Sequence, residues 1–272
     1  MTASIKLKSS KKLAAQPRER HDKLLTAFLY PLPLLVLLAV WQVYTTGDSQ
    51  RQFIFASPGQ VWNSFQHLMA TGDLLRNTGV TVGEALAGFI LGTTSGAAIG
   101  LCLWYSKIVA KVSKPYISAL GSVPIFALAP MIICWFGIGI MSKIMLAFIS
   151  TVVVAIVQSY QGASSVETKY LRLMQILGAS RLQTFKIVVL PSSLIWVINA
   201  MKLNIGLALL GAFIGEFISA EQGLGYMIVR ASGLYDMATV IVGVIALVVV
   251  ALILTALVER LEKSLLRWRN IS

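Results

Sequence analysis

The segment MATVIVGVIALVVVALILTALV, residues Met237–Val258, contains no charged side chain. A helix that crosses a hydrocarbon core about 30 Å thick needs roughly 20 consecutive apolar residues, so this segment predicts a transmembrane helix. Five further segments are long and apolar enough for the same prediction. The six predicted spans cover approximately residues 27–45, 84–105, 115–138, 144–162, 191–217 and 237–258. The sequence therefore predicts an all-α integral membrane protein with about six transmembrane helices.

The composition of the whole chain supports this class. Of its 272 residues, 57% are hydrophobic and only 12% are charged, and the mean hydropathy is +0.78. Soluble domains carry about 25% charged residues, so soluble globular and disordered proteins are both excluded. Cys102 and Cys134 form no Cys-x-x-Cys pair and lie in apolar segments, so we predict neither a metal site nor a redox site.

The positions of the basic residues predict the orientation in the membrane. Lysines and arginines concentrate before the first span, in the second and fourth connections, and after the last span. By the positive-inside rule these segments and both termini are cytoplasmic. We predict a basic N-terminal segment at 1–23, a transmembrane domain at 24–258 and a basic tail at 259–272, in a multi-pass membrane protein. The pI of about 9.9 thus reflects orientation and does not indicate nucleic-acid binding.

Breaks inside the spans indicate where a transport pathway could run. Pro124 and Pro130 each remove a backbone donor within the third predicted span. Irregular backbone at that depth requires surrounding protein or a water-filled cavity, although a plain proline kink is an equal alternative. The candidate pathway-lining residues are Ser122, Pro124, Pro130 and Glu216.

Other residues in or near the spans favour structural roles. Four glycines recur at every fourth position from Gly88 to Gly100, which predicts tight helix packing, with a pore-lining role as the alternative. Glu84 and Glu216 are predicted near the outer interface, as either structural or functional groups. Lys202 is predicted near the cytoplasmic end, where its ammonium group reaches towards headgroups.

The long outer connection, residues 46–77, contains apolar residues at helical spacing. They predict a short helix on the outer membrane surface, with contact to an external partner as the alternative. The residues concerned are Val61, Trp62, Phe65, Leu68 and Met69.

The fourth connection, residues 163–190, predicts two short cytoplasmic helices. Ser164 to Glu167 fits a capping box, Gly178 fits a helix-ending glycine, and Ser180 to Gln183 fits a second capping box. The second helix is expected to stop before Pro191. On the first helix one exposed apolar stripe is predicted, formed by Val166, Tyr170, Leu173, Met174 and Leu177. Such a stripe fits either a membrane surface or a partner protein.

These residues resemble a known family. The segment LGASRLQTFKIVVLP, Leu177–Pro191, is similar to the cytoplasmic "EAA" loop of binding-protein-dependent ABC importer permeases, with Gly178, Leu190 and Pro191 at matching positions. The opening triad differs, because Arg172, Leu173 and Met174 stand in its place. The resemblance runs from about Phe53 to Arg269 and favours the nitrate, sulfonate and taurine branch. The further motifs are Ser57-Pro58, Pro124-x5-Pro130, Trp135-Phe-Gly-Ile-Gly139 and Gly223-Leu-Gly-Tyr226.

The resemblance implies a type I permease fold, a location in the bacterial plasma (inner) membrane, and a set of partners. Two permease copies, by default identical, form the pore, a pair of cytoplasmic ATPases drives it, and an external binding protein delivers the solute. It also implies that Val166–Gly178 is the coupling helix seated in a groove of the ATPase. The ATPase-coupling residues are then Val166, Tyr170, Leu173, Met174, Leu177, Gly178, Ala179 and Ser180. The family branch implies sulfonates, taurine, nitrate or bicarbonate as solutes.

The chain lacks the residues that other functions need. It contains no G-x-x-x-x-G-K-[S/T] sequence, so ATP hydrolysis is expected on a separate polypeptide, and we predict no cofactor. A membrane-embedded enzyme would need paired carboxylates, histidines or a metal, and His21 and His67 fall on opposite sides of the membrane. A self-contained secondary carrier would normally show an internal hydropathy repeat, and none is convincing.

Overall fold

The computed structural model describes residues 29, 31–219 and 221–265, and these are helical with no β-strand among them. The helices are α1 (Leu32–Thr45), α2 (Ser49–Phe55), α3 (Pro58–Ala70), α4 (Asp73–Cys102), α5 (Lys107–Ser122), α6 (Ile125–Phe136), α7 (Ile140–Ser164), α8 (Thr168–Ile176), α9 (Arg181–Thr184), α10 (Leu190–Ser219), α11 (Leu224–Gly233) and α12 (Met237–Leu265). A 3₁₀ turn, Leu103–Tyr105, follows α4, and a π-helical turn, Phe185–Val189, joins α9 to α10. The basic segment 1–23 lies outside the described residues; of the predicted tail 259–272, residues 259–265 form the end of α12 and the others lie outside the described residues.

The chain divides into two compact units, Met1–Asn63 and Ser64–Ser272. In the first unit the indole N–H of Trp41 donates to Ala56 O at 3.0 Å, and the rings of Tyr44 and Phe55 meet edge to face. The Asp48 carboxylate caps α2 by accepting from the backbone N–H groups of Gln50 and Arg51. Helix α1 has 14 residues, which is shorter than a span, and the predicted span 27–45 begins among residues that are not described.

Four helical segments in the second unit are long and apolar enough to cross a membrane, namely Asp73–Tyr105, Ile140–Ser164, Arg181–Ser219 and Met237–Ser264. Within the predicted third span, 115–138, the helix is interrupted, because α5 and α6 meet there at 93°. The break falls at Val123 and Pro124, whose backbones are extended. A residue before proline disfavours the helical conformation, which explains the position of the break. Counting the bent pair as one gives five candidate spans in the described residues.

Close packing of α4 against α7 forms the centre of the second unit. The glycine seam of α4 (Gly88, Gly92, Gly96 and Gly100) faces α7. A Cβ added at Gly88 or Gly92 would lie 2.8 Å from a carbonyl oxygen of α7, and one at Gly96 would lie 2.5 Å from another. Gly211 of α10 lies similarly close to α7, since a Cβ added there would lie 2.7 Å from Ala147 Cα and from the carbonyl oxygen of Leu146. The prediction of tight packing at these glycines is confirmed.

The sequence predicted that the second helix of the fourth connection stops before Pro191, and this prediction is wrong. Helix α9, the π turn and α10 form one continuous helical segment, Arg181–Ser219. Pro191 supplies no N–H group, and the preceding π turn, in which Leu190 N–H bonds to Phe185 O, is a wider turn that accommodates its ring. The connection is therefore joined to α10 without a break.

We predict that Gly92→Ala destabilises the protein while Gly79→Ala does not. The Gly92 methyl group would overlap α7, a type of overpacking that costs about 1–3 kcal/mol. Gly79 lies on the same helix with no atom within 4 Å of its added Cβ, so alanine there is neutral or stabilising. Thermal unfolding of the two purified variants in detergent would measure the difference. Equal midpoints would show that the seam tolerates a methyl group.

Candidate functional site

Helix α8 begins one turn later than the sequence suggested. The predicted capping box from Ser164 to Glu167 is wrong, because α7 continues to Ser164 and Ser165 ends that helix. Glu167 is the N-cap of α8, and its side chain makes no capping hydrogen bond. Its carboxylate instead pairs with Lys169 at 2.6 Å, and this hydrogen bond raises the pKa of the Lys169 ammonium group.

The end of α8 is fixed by two hydrogen-bonded motifs. Gly178 has φ +69°, its N–H donates to Gln175 O, and the N–H of Ala179 donates to Met174 O. This pair of bonds is a Schellman motif, which favours glycine because of the positive φ. At α9 the predicted capping box is confirmed, since Ser180 and Gln183 exchange side-chain to backbone bonds of 3.3 and 2.7 Å.

The apolar face of α8 differs from the predicted stripe in two residues. Tyr170, Leu173 and Leu177 are exposed as expected, but Met174 is 8% exposed and belongs to the protein interior. Its prediction as an exposed stripe residue is therefore wrong. Ile176, which was not predicted, is 83% exposed. We call Tyr170, Leu173, Ile176 and Leu177 the α8 apolar face. Val166 and Ala179 are half-buried, and Ser180 is exposed.

An aromatic cluster connects the π turn to the end of α4. The ring of Phe185 lies 5.8 Å from that of Trp104 and 5.0 Å from that of Tyr105. The second and fourth connections therefore lie at the same end of the second unit, which agrees with the common cytoplasmic side predicted from their charges. We call this the inner end, and the end at Asp73, Ile140 and Ser219 the outer end.

The pathway candidates are divided between two places. Ser122, Pro124 and Pro130 are exposed at or beyond the bend between α5 and α6, and Ser122 Oγ donates to Ser118 O within its own helix. Glu216 is 1% exposed. It accepts from Thr81 Oγ1 at 2.6 Å and from Gly225 N–H at 2.7 Å, and therefore fastens α10 to α4 and α11.

Side chains of α4 at the outer end accept hydrogen bonds from the backbone N–H groups of the loop that follows α10. Leu224 N–H donates to Thr81 Oγ1, and Gly223 N–H donates to Asn77 Oδ1, both at 2.8 Å. Gly223 has φ +109°, and an added Cβ would meet the Glu216 carboxylate. The loop passes so close to the buried Glu216 side chain that a Cβ at Gly223 or Gly225 would overlap it, which explains the two glycines.

Lys143 is a buried basic residue whose structural role the sequence did not reveal. It lies in the first turn of α7 and is 3% exposed. Its ammonium group donates to the carbonyl oxygens of Ile138, Gly139 and Ser219. The available signal was its place in the first turn of a helix that carries no other charge.

The prediction that the Lys202 ammonium group reaches towards headgroups is wrong. Its ammonium group lies 2.5 Å from the Glu262 carboxylate, joining α10 to α12 near the inner end. A partly buried lysine is stabilised by an acid on a neighbouring helix.

Two cavities adjoin the outer polar residues, and Glu221 and Gln222 line both. The first has about 380 Å³ and contains Arg76 and Arg230 together with Asp73 and Asp236. The second has about 390 Å³ and is lined by Val80, Glu84, Ile138, Gly139, Ile140, Lys143 and the shared pair. Both volumes are in the range of small-molecule sites.

This arrangement, a bundle of apolar helices with an exposed apolar helix at one end and polar cavities at the other, is that of a membrane transport component. Residues 85–267 match the family model described as binding-protein-dependent transport system inner membrane component. The chain belongs to this family, and it is accordingly a permease subunit of an ABC importer in the bacterial inner membrane.

Known relatives and structures agree with this assignment. The riboflavin transport system permease protein RibX of Chloroflexus aurantiacus is 31% identical over 88% of this chain and 89% of its own length. A putative aliphatic sulfonates transport permease protein, SsuC of Bacillus subtilis, is 29% identical over 86% and 85%. A chain of the MetNI methionine ABC transporter, solved in an inward-facing conformation, has the same fold, with a TM-score of 0.64. The two chains are 16% identical, and the match covers 72% of this chain and 97% of that one.

We predict that Glu216→Ala destabilises the outer end far more than Glu216→Gln. Alanine leaves the Thr81 hydroxyl and the Gly225 N–H without their acceptor, at about 1–3 kcal/mol for each buried group. Glutamine keeps one acceptor oxygen, and the Thr81 hydroxyl can rotate. Thermal unfolding in detergent would rank wild type, Gln and Ala in that order. An alanine variant as stable as wild type would remove Glu216 from this structural role.

Proposed function

We propose that this chain carries a small solute across the membrane by responding to a separate cytoplasmic ATPase dimer, with α8 as the coupling helix. The observation that carries the proposal is the α8 apolar face at the inner end. Exposed large apolar residues that lie together outside the hydrocarbon core indicate a contact surface for another protein. The Schellman motif and the capping box hold this face in one orientation, as a docking surface requires.

The coupling residues have distinct proposed roles. Tyr170, Leu173, Ile176 and Leu177 fill a groove of the ATPase, while Met174 and Val166 attach the helix to its own chain. Gly178, Ala179 and Ser180 set the turn between α8 and α9. Arg172, Leu173 and Met174 replace the family's opening triad, and only Leu173 among them is an apolar residue available to a partner.

Movement of α8 would be transmitted along two covalent connections. One runs through Ser165 into α7, and the other runs through α9 and the π turn into α10. Both helices pack on each other and on α4, so a displacement at the inner end alters the central bundle. A second identical copy is proposed to complete the pore around the bend between α5 and α6, where Ser122, Pro124 and Pro130 are exposed.

We further propose a small anionic or zwitterionic solute, delivered by an external binding protein. The sulfonate permease relatives support this class. Sulfonate, taurine, nitrate and bicarbonate are the candidates. A relative named for formylaminopyrimidine transport, ThiX of Halalkalibacterium halodurans, shares 28% identity and supports organic solutes as well.

We expect Leu173→Asp and Ile176→Asp to abolish coupling, with Gln175→Asp as the matched control. Aspartate on the α8 apolar face would bury an unpaired charge in the ATPase groove, so transport should fall more than about tenfold. Gln175 is exposed on the opposite side of α8, and aspartate there adds the same charge outside the contact. Copurification with the ATPase and ATP-dependent uptake into proteoliposomes would be measured. Normal uptake by both face variants would make α8 a membrane-surface helix instead.

The turn at Gly178 should be equally important, for a backbone reason. Gly178→Val places a β-branched residue at φ +69°, whereas Gly178→Asn is tolerated because asparagine adopts this conformation more readily. We expect the valine variant to reach the membrane but to lose most ATP-dependent uptake, and the asparagine variant to retain most of it. Similar uptake by the two variants would show that the left-handed turn is not needed.

A further inference from the structure

Helix α5 carries three lysines on one side and contains no acidic residue. A rotation of about 100° per residue places Lys107, Lys111 and Lys114 within an arc of about 60° around the helix axis. All three are exposed, and in the part of the chain that the structure describes none of them has an ion-pair partner. We call them the lysine flank. Like charges at this spacing repel one another, and a negative group beside them would remove that cost.

A wide apolar surface adjoins the lysine flank. Ile108, Val112, Tyr116 and Leu120 recur at every fourth position of α5, and between 59% and 77% of each residue is exposed. We call these four residues the apolar flank. In the whole of α5 only Ala110 is buried. A helix with cations beside a broad apolar surface is typical of helices that lie in a membrane interface.

The direction of α5 agrees with such a position. Helix α6 is joined to α7 by three residues, and its Ala129 and Ile132 belong to one buried cluster with Leu146 of α7. Its 12 residues are about 18 Å long, so α6 runs through the hydrocarbon core alongside the outer half of α7. Helix α5 meets α6 at 93° and therefore runs more along the membrane plane than across it.

Residues at the two ends of α5 indicate its depth. Trp104 and Tyr105 directly precede α5, and these residue types favour the level of the headgroups. Near the other end, a Cβ added at Gly121 would lie 3.1 Å from Val153, which is in the middle of α7. The first two turns of α5, which carry the lysine flank, therefore lie at the level of the inner headgroups, and its last turn lies deeper.

We propose that α5 binds anionic phospholipid of the inner leaflet, with the phosphate at the lysine flank and the acyl chains along the apolar flank. The lysine stems can lie against the lipid while their ammonium groups reach the phosphate. Each lysine close to an anionic lipid surface adds to the attraction. A second copy of this chain fits the lysine flank less well, because in a symmetric contact it would bring the same lysines and no acid on the matching helix.

Lipid preference can be measured on the full-length chain without an ATPase. The protein would be placed in nanodiscs with equal amounts of phosphatidylglycerol and phosphatidylcholine, and the lipids that remain bound would be counted by native mass spectrometry. We expect the wild-type chain to be enriched in phosphatidylglycerol. Lys107→Gln, Lys111→Gln and Lys114→Gln together should lower this enrichment at least about tenfold. The three lysines are exposed, so the substitutions leave the packed interior intact.

A matched triple variant controls for total charge. Lys169→Gln, Arg172→Gln and Arg181→Gln remove the same charge from exposed positions on α8 and α9. We expect this variant to keep most of the phosphatidylglycerol enrichment. Equal losses in the two triple variants would reduce the effect to net charge, and no enrichment in the wild-type chain would leave α5 without a lipid partner. Either result would overturn the proposal.

Spin labels on the two flanks test what covers α5. Val112→Cys and Lys111→Cys, each in the chain with Cys102→Ser and Cys134→Ser, would be labelled in lipid nanodiscs. Oxygen concentrates in the hydrocarbon and a neutral nickel chelate in water, so we expect oxygen to relax the Val112 label more strongly and the chelate the Lys111 label. A Val112 label that neither reagent reaches would show that another protein surface covers the apolar flank, as a second copy would. Lysine-flank labels as accessible to oxygen as the Val112 label would also contradict an interfacial position.

Discussion

The rest of the structure depends on the contact between the backbones of α4 and α7. Lipid chains are as apolar as leucine, so burial from water cannot hold two spanning helices together, and close van der Waals packing must do so. The glycine seam allows carbonyl oxygens of α7 to lie where side chains would otherwise stand. Gly211 lets α10 approach α7 in the same way. The result is a three-helix centre in which small residues decide the geometry, and α12 adds a layer of larger apolar side chains to it.

Polar groups then fix the two ends of this centre differently. At the outer end, Glu216, Thr81 and Asn77 bind the backbone of the loop after α10, and Lys143 binds carbonyl oxygens at two helix ends. At the inner end the connections are held by aromatic contacts and by the Lys202–Glu262 pair. The outer end is therefore tied by short hydrogen bonds to the backbone, while the inner end is held by side-chain contacts that can rearrange.

The sequence was sufficient for the class, the long apolar helices and the position of the α8 turn, because these follow from local rules: run length, glycine at a positive φ, and a capping box. It was insufficient where a distant partner decides the outcome. Met174 fits the apolar period of α8, but tertiary packing buries it and exposes Ile176 instead. Lys202 pairs with Glu262, and one of the three acceptors of Lys143 is Ser219 O, both far away in sequence. At Pro124 the sequence left irregular backbone and a plain kink as equal alternatives, since the angle depends on how α5 and α6 pack against other helices.

The π turn before α10 has a consequence for rotational phase. A π turn contains about one residue more than the α turn it replaces, and one residue corresponds to about 100° of rotation around a helix axis. Helix α9, which precedes the π turn, is therefore rotated about the helix axis by roughly that angle, compared with its position if α10 continued towards it as an uninterrupted α-helix. The azimuth of the cytoplasmic connection is set by this one extra residue and not by the residues of α8. A family member with an α turn there would need a compensating change of length elsewhere in the connection to present the same surface.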